Sequence, residues 1–580
     1  MSSSKLKTDV QEGTVRHEDT TAGPSTDPVL NQRLKAPRKG NPLPWQLVSA
    51  LLAVVLIAVL WAGRSYQQPT AGVTAGISKS VSIGFRLAPA NLDIRNQSGA
   101  ALDQALIGNV YEGLVSRDQT NRVMPSLANS WEISEDATTY TFHLNPNLTF
   151  SNGDKLDAED VAWSINQLME HHYHDADQLQ NFQSVKAIDK DHVQLQLTAP
   201  YANILWVLTG RAGLVFDRKA QYDPKTQAVG SGPYTVESFT PNSSLVLKAN
   251  TRYWGRQHRA KTETLHLRYF ADDNAAVNAL KSQDIQVLAP ITANLAAPFT
   301  KDTEHYSVHS GAGSDKYVLA FNNKGSKTSD MRVRQAIRYA INHQDLIDSR
   351  GGVDQPMGGP IPSVDPGYRD ITNLYPHNPE RAKRLMAQVG YTPDKPLTLR
   401  LTYPNTYGTE LGDQLRSQLK PIGINLQLQV VEFSTWMQDV YTNHNYDLSL
   451  VDHSESHDFS QWTNPNYYYG YDSKVVRDLY AKAMAARKAE DTDHYLAQAA
   501  QQVSQDAPAD WLFNYRITTV TLTGLRGFPL NLNQTLLNAW KISYSPDKPK
   551  TSGPAARALY DRPKWRSSDH ATFLQYTIAG

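Results

Sequence analysis

The chain has 580 residues, 57 basic and 57 acidic side chains, and no cysteine. Such a length buries a large core and calls for several lobes. A net charge of zero leaves no global field to recruit nucleic acid, and the lack of thiols excludes disulfides, thiol nucleophiles, cysteine-ligated metal centres and a cysteine-borne lipid anchor.

Residues 1–44 are rich in Ser, Thr, Pro and charge, without an apolar period, and read as a disordered cytoplasmic tail. The tail ends in a basic group, Arg33, Lys35, Arg38 and Lys39, just before the apolar run LVSALLAVVLIAVL at 47–60, which Trp45 and Trp61 flank. With its flanking residues the run reaches about 17–18 positions, near the lower limit for a membrane span, and indoles at both ends suit the two interfaces. Residues 45–63 are therefore expected to form a transmembrane helix or uncleaved signal anchor, with the N-terminus cytoplasmic and the remainder outside. A cleaved signal peptide is the alternative. Residues 64–77 read as a linker, and 546–580 as a loosely ordered C-terminal extension.

From Ser78 to Ser545 short strand-like runs alternate with amphipathic helices, a mixed α/β body. Tyr140, Phe142 and Leu144 alternate as on a half-buried strand, and 193–197 and 245–248 look similar. Asp157 is placed to cap a helix carrying Val161, Ala162 and Ile165 on one face. After Asp330, the residues Val333, Ala336, Ile337, Ala340 and Ile341 form one helical stripe. Arg332, Arg334 and Arg338 leave that stripe and read as a solvated or salt-bridged face. His171 and His174, near Asp175 and Asp177, are spaced so that both could reach one metal, but a polar helix end or loop is the preferred reading and no metal site is assigned.

The order of blocks carries a resemblance. Tyr111-Glu-Gly-Leu-Val115 precedes Trp131-Glu-Ile-Ser-Glu-Asp136, Phe150-Ser-Asn-Gly-Asp154 and Gly230-Ser-Gly-Pro-Tyr234. Asn250-Thr-Arg-Tyr-Trp-Gly255, Phe321-Asn-Asn323, Arg332-Val-Arg-Gln-Ala-Ile337, Tyr339-Ala-Ile-Asn342 and Gly423-Ile-Asn-Leu426 follow. Together they resemble the family 5, peptide- and nickel-type extracellular solute-binding proteins of ABC importers. The resemblance implies a bilobal periplasmic-binding-protein-like fold (class II type) with an additional small domain. Lobe I is expected at 78–118, 229–314 and 518–545, the small domain at 119–228 and lobe II at 315–517. Crossing segments are expected near Asp315-Lys-Tyr317 and Tyr515-Arg-Ile517.

The resemblance also implies that the stretch from Tyr446 to Phe459 carries the acid that meets a peptide's α-amino group. Two registers compete, one placing Asp452 there and the other Ser456. An ammonium group withdrawn from water needs a carboxylate partner, for which Asp452, Glu455 and Asp458 are candidates beside His453. Tyr467, Tyr468 and Tyr469 offer flat walls with hydroxyl handles; their alternative role is core packing.

No phosphate-binding Gly-Lys-Ser/Thr loop, nucleophile elbow or HExxH motif occurs, so the sequence reads as a binding protein without catalysis or cofactor. Its expected partners are a peptide or other small-molecule ligand, a permease and separate ATPase subunits, with the receptor itself monomeric. The alternatives are a receptor for a metal chelate, sugar or glycolipid-derived ligand, or an envelope scaffold that kept the fold and lost import.

Overall fold

The computed structural model describes residues 78–532 and 536–546. The N-terminal tail, the expected membrane span at 45–63, the linker and nearly all of the C-terminal extension lie outside them. Among the described residues no helix is long and apolar enough to cross a membrane.

Strand β1 (Ser80–Phe85) opens the body, followed by a short antiparallel ribbon of β2 (Val115–Arg117) and β3 (Val123–Pro125). Next, β4 (Ala128–Ile133), β5 (Thr139–Leu144), β6 (Phe182–Ala187) and β7 (His192–Leu197) form an antiparallel sheet in the order β4-β5-β7-β6. The alternation read from the sequence holds, since Tyr140, Phe142 and Leu144 are all buried. They pack in one core with Val161 and Ile165 of the helix Ala158–Glu170. That helix starts where Asp157 accepts from the backbone N–H groups of Glu159 and Asp160, while the Asp160 carboxylate accepts from the Asp157 N–H, a reciprocal cap.

The second half of the chain adds β8 (Tyr234–Thr240), β9 (Ser244–Ala249), β10 (Thr264–Tyr269), β11 (Val287–Ile291), β12 (Tyr306–Phe321), β13 (Leu397–Pro404), β14 (Ile424–Val431), β15 (Leu448–His453) and β16 (Ala509–Leu522). With β1 these form a ten-stranded mixed sheet ordered β14-β13-β15-β12-β16-β11-β1-β10-β9-β8. The two long strands β12 and β16 pair antiparallel along nearly their whole length, with register shifts between Ala312 and Lys316 and between Tyr317 and Val318. One end of β16 carries β11, through Ile291, Leu288 and Val287; the opposite end of the pair carries β15, through Lys316 to Phe321 of β12. The sheet is buried on both faces there. Leu319 and Phe321 enter one core, while Val318, Ala320 and Trp511 enter another. Both segments expected as crossings, at 315–317 and 515–517, fall in these two strands beside the register shifts.

The stripe after Asp330 is buried as expected in the helix Met331–Ala340. The arginines were expected to form a solvated or salt-bridged face; Arg332 and Arg338 do form ion pairs, but the face is not solvated throughout. Arg332 is exposed and pairs with its own cap, Asp330, but Arg334 and Arg338 are buried. Arg334 donates to the carbonyls of Thr328, Ser329, Asp506 and Ala507. Arg338 pairs with Asp510 at 3.1 Å and donates to the carbonyls of Ser504 and Gly358. Burial works against the Asp510 carboxylate, yet His343 and Arg338 outweigh it and hold the group below its ordinary range.

Three blocks that stand far apart in sequence meet at one side chain. Glu112 accepts hydrogen bonds from Ser231 (2.9 Å), Tyr253 (2.6 Å) and the Trp254 indole (2.9 Å), and so ties 111–115 to 230–234 and 250–255. The approach is close enough that a Cβ on Gly230 would lie 2.0 Å from the Val110 carbonyl oxygen. Burial pushes the Glu112 carboxyl up to about 7, against the pull of its three donors. A carboxyl raised in the folded state gives stability that is full below its unfolded value and lost as pH rises. Unfolding in urea is therefore expected to show stability falling between about pH 4.5 and pH 7, by on the order of 3 kcal/mol at about 1.4 kcal/mol per pH unit. Glu112→Gln is expected to flatten that slope; an unchanged slope in this variant would remove Glu112 as its cause.

Candidate ligand-binding cleft

The cleft is built around two pinned segments. On one side, the loop 454–457 that follows β15 is fastened from below by Lys316 of β12, whose side chain is 1% exposed. Its ammonium donates to the carbonyls of Glu455 (2.6 Å) and Ser314 (3.1 Å) and pairs with Asp458 at 3.2 Å. The Ser314 hydroxyl adds a bond to the Ser454 carbonyl. From the other flank, Asp365 accepts from Ser456, from the His457 N–H and from Asn121 of the β2–β3 turn.

Facing this loop are the helix Ala100–Leu106, the end of β2 and the helix Ile204–Val207. Asp103 of the first pairs with Arg211 at 2.6 Å, and Arg211 also donates to the carbonyls of Ile94 and Gln97. Burial pushes the Asp103 carboxyl up to about 6 in spite of that partner. Trp206 lies face to face with His457, ring centroids 3.9 Å apart and planes within 3°, while His457 Nδ1 is 2.9 Å from the Asn203 carbonyl oxygen of its side chain. Over the same indole lies the guanidinium of Arg117, 4.2 Å from the ring centroid. Between the two sides is a cleft of about 350 Å³, lined by Gly99, Asp103, Arg117, Trp206, Arg211, Ser314, Ser454, Glu455 and Ser456. This volume falls in the range of small-molecule sites.

The acids and aromatics singled out in the sequence scatter around this cleft rather than gather in it. Glu455 is exposed and lines it. Asp458 lies under the loop, its charge met by Lys316; burial pushes its carboxyl up to about 6. Asp452 stands on β15 opposite Tyr317 of β12, and its backbone N–H donates to the Tyr407 hydroxyl. One of its carboxylate oxygens is buried without a hydrogen-bond partner. Burial, then Asp315, raise it well above the ordinary carboxylate range, with Lys316 and Arg350 opposing. His453 Nε2 is 2.9 and 2.7 Å from the hydroxyls of Tyr468 and Tyr469, and burial with nearby Lys316 pushes its imidazole down to about 3. Tyr468 and Tyr469 are themselves core residues, Tyr469 stacked on Trp462 at 4.3 Å, and Tyr467 is half-buried against them. The core-packing alternative thus describes these two tyrosines. Arg117, Trp206 and Asp365 were not singled out from sequence. For Arg117 the available signal was a charge two residues after Val115, at the end of the buried run Leu114-Val115.

A model of the bacterial extracellular solute-binding proteins, family 5 (middle region), matches residues 122–475, more than half of the chain. The chain belongs to this family. Family 5 proteins are transport receptors rather than enzymes, and the body described above is such a receptor. Among its relatives, di/tripeptide-binding protein 2 of Pseudomonas aeruginosa is 26% identical over 390 residues, 61% of this chain and 72% of that protein. The periplasmic murein tripeptide-binding protein MppA, in an unliganded open form, superposes with a TM-score of 0.72 at 20% identity, covering 82% of this chain and 99% of its own. DppA of Helicobacter pylori, in complex with the peptide STSA, gives 0.63 at 20% identity over 81% of this chain and 99% of its own. At these identities the two structures show the shared fold.

In this family 5 receptor, Lys316 sets the height of the 454–457 loop. Lys316→Met is expected to lower stability by about 3–5 kcal/mol, the scale for leaving one buried charge unpaired. Urea unfolding checks this, and a loss under about 1 kcal/mol would show that Asp458 is compensated elsewhere.

Proposed function

We propose that this receptor captures short peptides in the Arg117–Glu455 cleft and delivers them to an ABC permease driven by separate ATPase subunits. The observation that carries the reading is the cleft itself. Two pinned walls present the Arg117 guanidinium, the exposed Glu455 carboxylate, serine hydroxyls and the flat face of Trp206, a set that complements a peptide's charged ends and amide backbone while tolerating varied side chains. Similarity to di/tripeptide-binding protein 2 supports the same ligand class. Of the three candidate acids, Glu455 is the one proposed to meet the ammonium group. It faces the cleft, whereas Asp458 is paired with Lys316 and Asp452 lies beside Tyr317 outside the lining.

The β12/β16 pair serves, on this reading, as the crossing between a lobe built on β1 and β8–β11 and a lobe built on β13–β15, with the β4–β7 sheet as the small extra domain. Ligand contacting both walls favours the arrangement in which they are close, the two-state basis of capture. The apolar run at 47–60 is proposed to hold the body at the outer face of the membrane, with the N-terminus cytoplasmic.

Native mass spectrometry of the gently purified protein is expected to release di- to pentapeptides. Glu455→Gln is expected to weaken their binding by about 1.5–3 kcal/mol, the scale of a hydrogen bond to a charged group. Release of a metal chelate, a glycan or a lipid headgroup instead would overturn the peptide reading while leaving the receptor fold intact.

A further inference from the structure

Resting on the peptide reading, we propose that Arg117 is the anchor for a ligand carboxylate and selects ligands that carry one. The residue is 8% exposed and lines the cleft, yet among the described residues its guanidinium makes no hydrogen bond and has no carboxylate oxygen within 4.0 Å; it lies over the Trp206 ring. A buried guanidinium in that condition is costly unless a partner arrives.

The acids around it are already engaged. Asp103 is bound to Arg211 at 2.6 Å. Asp365 accepts from Asn121, Ser456 and His457. Both influence Arg117 electrostatically, as does Glu455, but Asp103 and Asp365 would have to abandon shorter bonds to reach it. Asp175 also lines the cleft, 4.0 Å from Arg211; Glu455 is exposed there and placed to take a positive group. Arg117 and Glu455 therefore suit a ligand bearing both charges.

Geometry and charge choose the anion. A guanidinium lying over an indole keeps its planar fork of donors free at the edge, the shape that a carboxylate meets with two parallel hydrogen bonds. A phosphate monoester brings close to two negative charges into a site where Arg117 is flanked by three acids, whereas a carboxylate brings one. The carboxylate has two sources, the peptide C-terminus or an acidic side chain, and both share this chemistry.

The test uses ligand-stripped full-length protein and four probes read by calorimetry and thermal midpoint: trialanine, trialanine amide, the amide of Ala-Glu-Ala, and glutarate. Wild type is expected to bind the carboxylate-bearing probes, and Arg117→Met to weaken them at least 30-fold, with partial recovery in Arg117→Lys. Trialanine binding over its amide assigns the C-terminus; Ala-Glu-Ala amide binding assigns the side chain. Because removing an unpaired buried charge relieves the empty protein, Arg117→Met without ligand is expected to melt at or above the wild-type temperature, opposite to what a merely structural arginine would give. Peptide binding that ignores the carboxylate and survives Arg117→Met would overturn the anchor and keep the peptide reading. Glutarate binding that depends on Arg117, with no peptide bound, would keep the anchor and overturn the peptide reading. No response to any of the four probes would overturn the anchor.

Discussion

The antiparallel pairing of β12 with β16 is the constraint on which the rest of the body hangs. Each strand is long enough to serve two neighbourhoods, and the register shifts between Ala312 and Val318 divide them. On one side the pair continues into β11 and β1, on the other into β15 and β13. Side chains alternate to opposite faces along a strand, so Leu319 and Phe321 fill one core while Val318 and Ala320 fill the other. Few residues belong to a single layer here, and any slip of one position would exchange the two cores.

The same strand supplies the site. Lys316 lies in β12 beside the register shift, and its buried ammonium holds the 454–457 loop from beneath through Glu455 and Asp458. The opposite wall is fixed by a different knot, in which Glu112 joins three sequence blocks five residues before Arg117. The proposed site follows from what those anchors leave unsatisfied. Most charged groups near the cleft have partners, as Asp103, Arg211, Lys316, Asp365 and Asp458 do. Among the described residues Arg117 and Glu455 line the cleft without a hydrogen-bonded or ion-paired partner of that kind, which is why they are the groups proposed to meet the ligand.

Much of the fold was legible in the sequence because it rests on local periodicity. The alternation of Tyr140, Phe142 and Leu144, the Asp157 cap and the stripe from Val333 to Ile341 each depend on neighbours within a few positions. What was not legible depends on distant partners. Arg338 reads as a helix-surface residue until Asp510, 172 positions away, is brought against it. The roles of Asp452, Glu455 and Asp458 were indistinguishable because Lys316, more than a hundred residues earlier, decides which of them is neutralised. The tyrosine run carried the right residue types for a ligand wall. Trp462 and His453 instead absorb Tyr468 and Tyr469 into the core, and neither contact has a signature in the run itself.

Ligand entering between the 454–457 loop and the Arg117–Trp206 wall has to touch both. Hydrogen–deuterium exchange on the full-length protein, with and without the ligand that copurifies with it, reads this out. Slower exchange on binding is expected at 454–457 and at 113–122, on both walls, with the β4–β7 sheet largely unchanged. Protection confined to one wall, or appearing only at surfaces away from both, would contradict it.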